Sequence, residues 1–116
     1  MKYSLKNAYA ELQKLSEEIH NQELHVIVTN LLKILYNNRK SIMSIDGVLE
    51  LHLSEALNLL NKYVTLGVDK PLGYEDLLNY VTAVKKYTEE LCAEHLEMQE
   101  LIFSSEASAL LSSIKL

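Results

Sequence analysis

Four histidines and one cysteine are the side chains best suited to chemistry in this chain: His20, His25, His52, His95 and Cys92. Glu17-Glu18-Ile19-His20 forms one Glu-x-x-His group. That spacing sets a carboxylate and an imidazole on one helical turn, as in di-iron carboxylate bundles, which need a second such group on another helix. None exists, because Glu90 lies five residues before His95 and Glu94 is adjacent to it. His20 and His25 are five apart across a helix break, so one helical face cannot present both. No metal site and no cofactor are expected.

Cys92 lacks the electropositive setting that turns a thiol into a nucleophile. Its neighbours Glu89, Glu90 and Glu94 should raise its pKa. His95 falls on an apolar helical line and raises the weaker alternative of a phosphocarrier. Glu94 and Glu97 beside it would repel a phosphoryl group, however. Gly67 and Gly73 are not followed by the Lys-Ser/Thr of a phosphate loop. Glu75 and Asp76 sit where a helix N-terminus favours acids. No catalytic residue can be named, and a non-enzymatic protein is expected.

The elements follow from periodicity. In 116 residues there are only three Gly and one Pro, so long uninterrupted helices are expected. Residues 5–20 place Leu5, Ala8, Leu12, Leu15 and Ile19 on one stripe, with Ser4 as N-cap. Residues 23–36 turn Leu24, Ile27, Val28, Leu31, Leu32 and Leu35 inward. A loop over 37–44 follows. A third helix, capped by Asp46 or Ser44, carries Leu49, Leu53, Ala56, Leu60 and Tyr63 and stops at Leu66, before Gly67. The fourth runs from Tyr74 to Phe103. Its stripe is Leu77, Val81, Val84, Thr88, Leu91, His95, Met98 and Ile102, a heptad spacing with two polar intrusions. Ser104-Ser105 reads as a cap or kink before a short last helix with Ala107, Leu110, Leu111 and Ile114.

The expected fold is all-α, a single domain over residues 1–116. It is an antiparallel four-helix bundle with a long fourth helix and a short C-terminal helix. At 1.5 Å per residue the fourth helix spans about 45 Å, against roughly 20 to 30 Å for the others. Either it bends near Leu91 to Glu94 or its second half projects. A projecting half leaves Leu91, Met98 and Ile102 exposed, and such surface marks an interface. A homodimer is expected on that ground.

The charge is uneven. Residues 1–86 hold ten basic and ten acidic side chains; residues 87–116 hold six glutamates against Lys115. Glu90, Glu94 and Glu97 follow one helical face, with Glu89 and Glu100 beside it. This acidic ridge either docks a basic protein partner or serves as a solvated face. The basic residues Arg39 and Lys40, with Lys33 nearby, are too few to release counterions from phosphates, so nucleic-acid binding is not expected. No apolar run reaches the ~18 to 20 residues of a membrane span, and no signal peptide is visible. A cytoplasmic protein is expected.

Ile42, Met43 and Ile45 put three large apolar side chains in a connection that should be polar. They either plug the end of the bundle or form a docking site. The size and four amphipathic helices resemble the immunity proteins that protect bacteria from class II bacteriocins. That resemblance implies a protective protein acting by contact, with specificity toward the C-terminus. The leading expectation is a non-enzymatic protein–protein interaction module (an adaptor, inhibitor or small chaperone) using the long acidic fourth helix.

Overall fold

The apolar stripes become helices that bury them. The computed structural model describes residues 5–42 and 47–114. Over those residues the chain forms an all-α bundle of five helices: α1 (Leu5–Glu18), α2 (Gln22–Asn37), α3 (Arg39–Ile42), α4 (Gly47–Leu66) and α5 (Tyr74–Ser113). Ala8, Leu12 and Leu15 of α1 and Ile19 just beyond it meet Leu24, Val28, Leu31, Leu32 and Leu35 of α2. Leu49, Leu53, Leu57, Leu60 and Tyr63 of α4 and Val81, Val84 and Cys92 of α5 complete the core. Burying a Leu or Val side chain contributes roughly 1.5–3 kcal/mol, so this core holds the bundle together without cross-links. No helix among the described residues is long and apolar enough to cross a membrane.

Two expectations about the fold are overturned. The chain does not finish with a short separate helix, because α5 runs unbroken for 40 residues through Ser104 and Ser105. Serine in a helix interior costs only about 0.5 kcal/mol relative to alanine. Two of them, flanked by Leu, Ile, Glu and Ala, do not stop propagation. The loop over 37–44 is not entirely loop either: Arg39–Ile42 makes one helical turn, so the molecule is not a simple four-helix bundle. Asn38 Nδ2 donates to the Ile34 carbonyl (2.9 Å), and the Ile42 amide bonds the Asn38 carbonyl (2.9 Å), which carries the chain from α2 into that turn.

The ends of the elements are fixed by specific groups. Asn21 is the N-cap of α2; its Oδ1 accepts from the Leu24 amide at 3.0 Å. Gly67 and Gly73 take φ of +66° and +90°, a left-handed backbone that only glycine adopts without strain. Gly67 ends α4, and Gly73 opens α5. Ser4, Ser44 and Asp46, the other expected caps, lie outside the described residues, as do Met43 and Ile45.

A polar network locks the end of the bundle where α5 begins. The Tyr74 hydroxyl lies 2.7 Å from Glu23 Oε1 and 3.0 Å from Asn21 Oδ1, and shares its one proton between them. Asn21 Nδ2 donates to Asp69 Oδ1 at 3.1 Å, and the Tyr63 hydroxyl to the Asp69 carbonyl at 2.7 Å. The Tyr63 and Tyr74 rings meet edge to face, centroids 6.3 Å apart. The α4–α5 connection is thereby tied to the start of α2.

Candidate functional site

The helix α5 changes character at mid-length. Tyr74, Val81, Val84, Thr88 and Cys92 are buried, and Leu77, Leu91 and His95 are half-buried. From Leu96 to Ile114 every residue is exposed. Of the two geometries open from sequence, the helix projects. The molecule measures 71 × 28 × 21 Å, with a radius of gyration of 18.4 Å. A compact chain of this length would have a radius of about 13 Å. The free half alone spans roughly 27 Å at 1.5 Å per residue.

The faces of that free half are ordered. With about 100° per residue, Ile102, Phe103 and Leu110 fall within about 60° of the line through buried Thr88. The face that packs in the bundle therefore continues past it with nothing against it. Leu96, Phe103 and Leu110 are spaced by seven, and Met98 and Ile102 run alongside. Phe103 is 74% exposed and Met98 60%. Gln99 and Glu106 interrupt the face, in the way single polar residues fix register in helical seams.

The acidic ridge takes the opposite side. Glu90 and Glu97 lie about 160–180° round the helix from Thr88, with Glu94 and Glu100 within roughly 60° of them. All four are exposed, as is Glu89, whose Oε1 is 2.9 Å from Lys85 Nζ. The free half is thus an amphipathic helix, apolar on the side continuous with the core and anionic on the other.

Leu91 is half-buried at the exit point, while Met98 and Ile102 are on the open face. Ile42 is buried in the core and closes the bundle from α3. The open face also holds Leu96, Phe103, Leu110 and Ile114 as a line that the sequence reading divided at Ser104. The seven-residue spacing across that serine pair was the signal available.

Two of the four histidines are held in structural contacts. His52 Nδ1 is 3.0 Å from the Tyr80 hydroxyl, and its ring sits about 6.0 Å from those of both Tyr80 and Tyr87, pinning α4 to α5. His25 Nδ1 is hydrogen-bonded to the Ser16 carbonyl at 2.9 Å. His20 is exposed and His95 half-buried. Among the described residues no three His, Cys, Asp or Glu side chains gather to hold a metal ion.

Burial pushes the Cys92 thiol up. The adjacent glutamates point to solvent, so desolvation and not their charge is the cause. A protonated, covered thiol is a poor nucleophile. Cys92 in the folded chain is expected to react with a disulfide reagent on the order of 100-fold more slowly than in denaturant. Equal rates in the two states would show that the thiol is open.

Comparison with families, curated proteins and solved structures returns no match, so the likeness to bacteriocin immunity proteins stays one of size and helix pattern.

Proposed function

We propose that the protein works by contact, as a non-enzymatic interaction module, and that the free half of α5 is its working surface. One observation carries this reading: the core-facing side of α5 continues for five turns beyond the bundle with its apolar side chains uncovered. Most helical stability in proteins comes from packing of an amphipathic face, which these residues lack, and an exposed apolar stripe of that length is the usual mark of an interface. A partner that covers the stripe stabilises the helix as well as binding it. The ridge of Glu90, Glu94, Glu97 and Glu100 favours a partner with basic groups flanking an apolar groove and speeds its encounter.

Hydrogen exchange tests this reading. Amides of residues 74–92 should be strongly protected in dilute protein. Those of residues 97–113 should exchange rapidly and gain protection as protein concentration rises or as a partner is added. Strong protection of both halves in a chain that sediments as a monomer would mean that the second half is covered within the monomer, and the proposal would fail.

A further inference from the structure

A second feature of the molecule has the chemistry that this helix requires. The N-terminal part of α1 and the C-terminal end of α2 enclose an apolar cleft of about 430 Å³. Leu5, Tyr9, Leu35 and Tyr36 line it, and Lys6, Arg39 and Lys40 form its rim. The Tyr9 and Tyr36 rings stand 6.2 Å apart at 40°, packed on each other as one aromatic wall of the cleft. Arg39 is fixed over Tyr36, with its guanidinium carbon 4.3 Å from the ring centre and Nη1 donating to the Tyr36 carbonyl at 2.8 Å. Among the described residues, Lys6 and Lys40 have no carboxylate within ion-pair distance.

We infer that this cleft receives the free half of α5 from a second copy of the chain. The inference rests on the reading of that half as an interaction surface and names the partner. Charge is the first argument. The cleft combines apolar walls with a cationic rim; the free helix combines an apolar face with an anionic flank. Phe103, the chain's single phenylalanine, is the large aromatic anchor, and Glu100 sits one turn before it at the edge of the apolar face. With Phe103 laid against the Tyr9–Tyr36 wall, Glu100 comes to the side of Arg39 and Lys40.

Placement is the second argument. The helix α5 begins beside Asn21 and Glu23 at one end of the bundle and leaves at the other, where α3 packs on it. The cleft belongs to that same exit end, being built from the first turns of α1, the last turn of α2 and the start of α3. Phe103 lies eleven residues past Cys92, roughly 16 Å along the axis, clear of its own bundle. Two copies meeting head to head can therefore each seat a helix in the other, a closed two-fold exchange and not an open chain. The contact is made twice in such a dimer, which halves the area that each seat must bury. A stable interface buries at least about 1,200 Å² in total, so each seat has to supply only about 600 Å².

Sedimentation equilibrium on the full chain, with charge exchange between the two surfaces, tests the inference. The wild-type chain should form a dimer. Arg39→Glu with Lys40→Glu should weaken it roughly tenfold or more, and Glu97→Lys with Glu100→Lys should do the same. An equimolar mixture of the two double variants should recover association, since each offers the other one complementary seat. All four positions are exposed, and recovery cannot arise from misfolding. A dimer that Phe103→Asp abolishes but the cleft reversal leaves intact would overturn the cleft as the seat and leave the interaction reading standing. A monomer at all concentrations, with residues 97–113 protected only by a different protein, would do the same. A monomer in which nothing protects those residues would overturn both.

Discussion

At a dilution that keeps the full-length protein monomeric, a chain ending at His95 should unfold within about 3 °C of it, yet at higher concentration lose association by at least about 100-fold. Both parts follow from the same burial pattern. The last fully covered side chain of α5 is Cys92, and His95 is the last with partial cover. Among the described residues, those from 96 onward contribute no side chain to the core cluster. The only local cost is a new carboxylate at a helix C-terminus, about 0.3–1 kcal/mol, or a few degrees in a domain of this size. Association, by contrast, loses Leu96, Met98, Ile102, Phe103 and Leu110 together. Truncating two central anchors of an interface commonly costs 2 kcal/mol or more each, which is already a 100-fold loss or greater. Melting curves on both chains, paired with sedimentation, give the two answers. A fall of 10 °C or more in the truncated chain would show the free half to be part of the folded core in solution. Retained association would place the interface elsewhere.

Much of the architecture was legible because helix and core share a period. Apart from the half-buried Leu5 and Ile27, the stripes of the first three expected helices end up buried, and Gly67 takes the left-handed backbone expected at the end of α4. The misreadings have physical causes. Ser104-Ser105 carries a turn-like composition, yet helical propensity is a sum over neighbours, and Leu101, Ile102, Glu106 and Ala107 outweigh two serines. The turn at Arg39–Ile42 is too short to show a period at all. That α5 projects follows from the length of its partners, a property of the whole bundle and not of the local pattern. The pairing of His52 with Tyr80 and Tyr87, across 28 and 35 residues, left no mark in spacing. The cleft was equally hidden. Lys6 and Arg39 are far apart in the chain, and only the packing of α1 on α2 brings them to one rim. The apolar content of the candidate surface was therefore readable, and the complementarity of two distant surfaces was not.

Asn21→Ala should destabilise the fold by about 2 kcal/mol, roughly 8 °C in Tm. The side chain is buried and does three things at once: it caps α2, accepts from Tyr74 and donates to Asp69. Loss of the cap alone costs about 1 kcal/mol, and the two bonds that bridge α2 to the α4–α5 connection account for the rest. Asn21→Ser, which retains a cap acceptor, should recover about half of the loss. Tyr74→Phe removes a shared bond, so the double variant should be less destabilised than the sum, by about 1 kcal/mol. Strict additivity would mean that the 3.0 Å contact contributes nothing. The same network has a signature at high pH. Burial, with the hydrogen bond and charge of Glu23, pushes the Tyr74 hydroxyl up to about 12, while an unfolded tyrosine titrates near 10. Below pH 10 the group is protonated in both states and its full contribution is present. Between pH 10 and about 12 the unfolded chain loses this proton first, so stability falls as pH rises. Tyr63 and Tyr80, also raised by burial, add to the slope. Urea midpoints taken across pH 9 to 12 should therefore decline steeply for the wild type and less steeply for Tyr74→Phe. Identical slopes would mean that the Tyr74 hydroxyl is no more constrained in the folded chain than in the unfolded one.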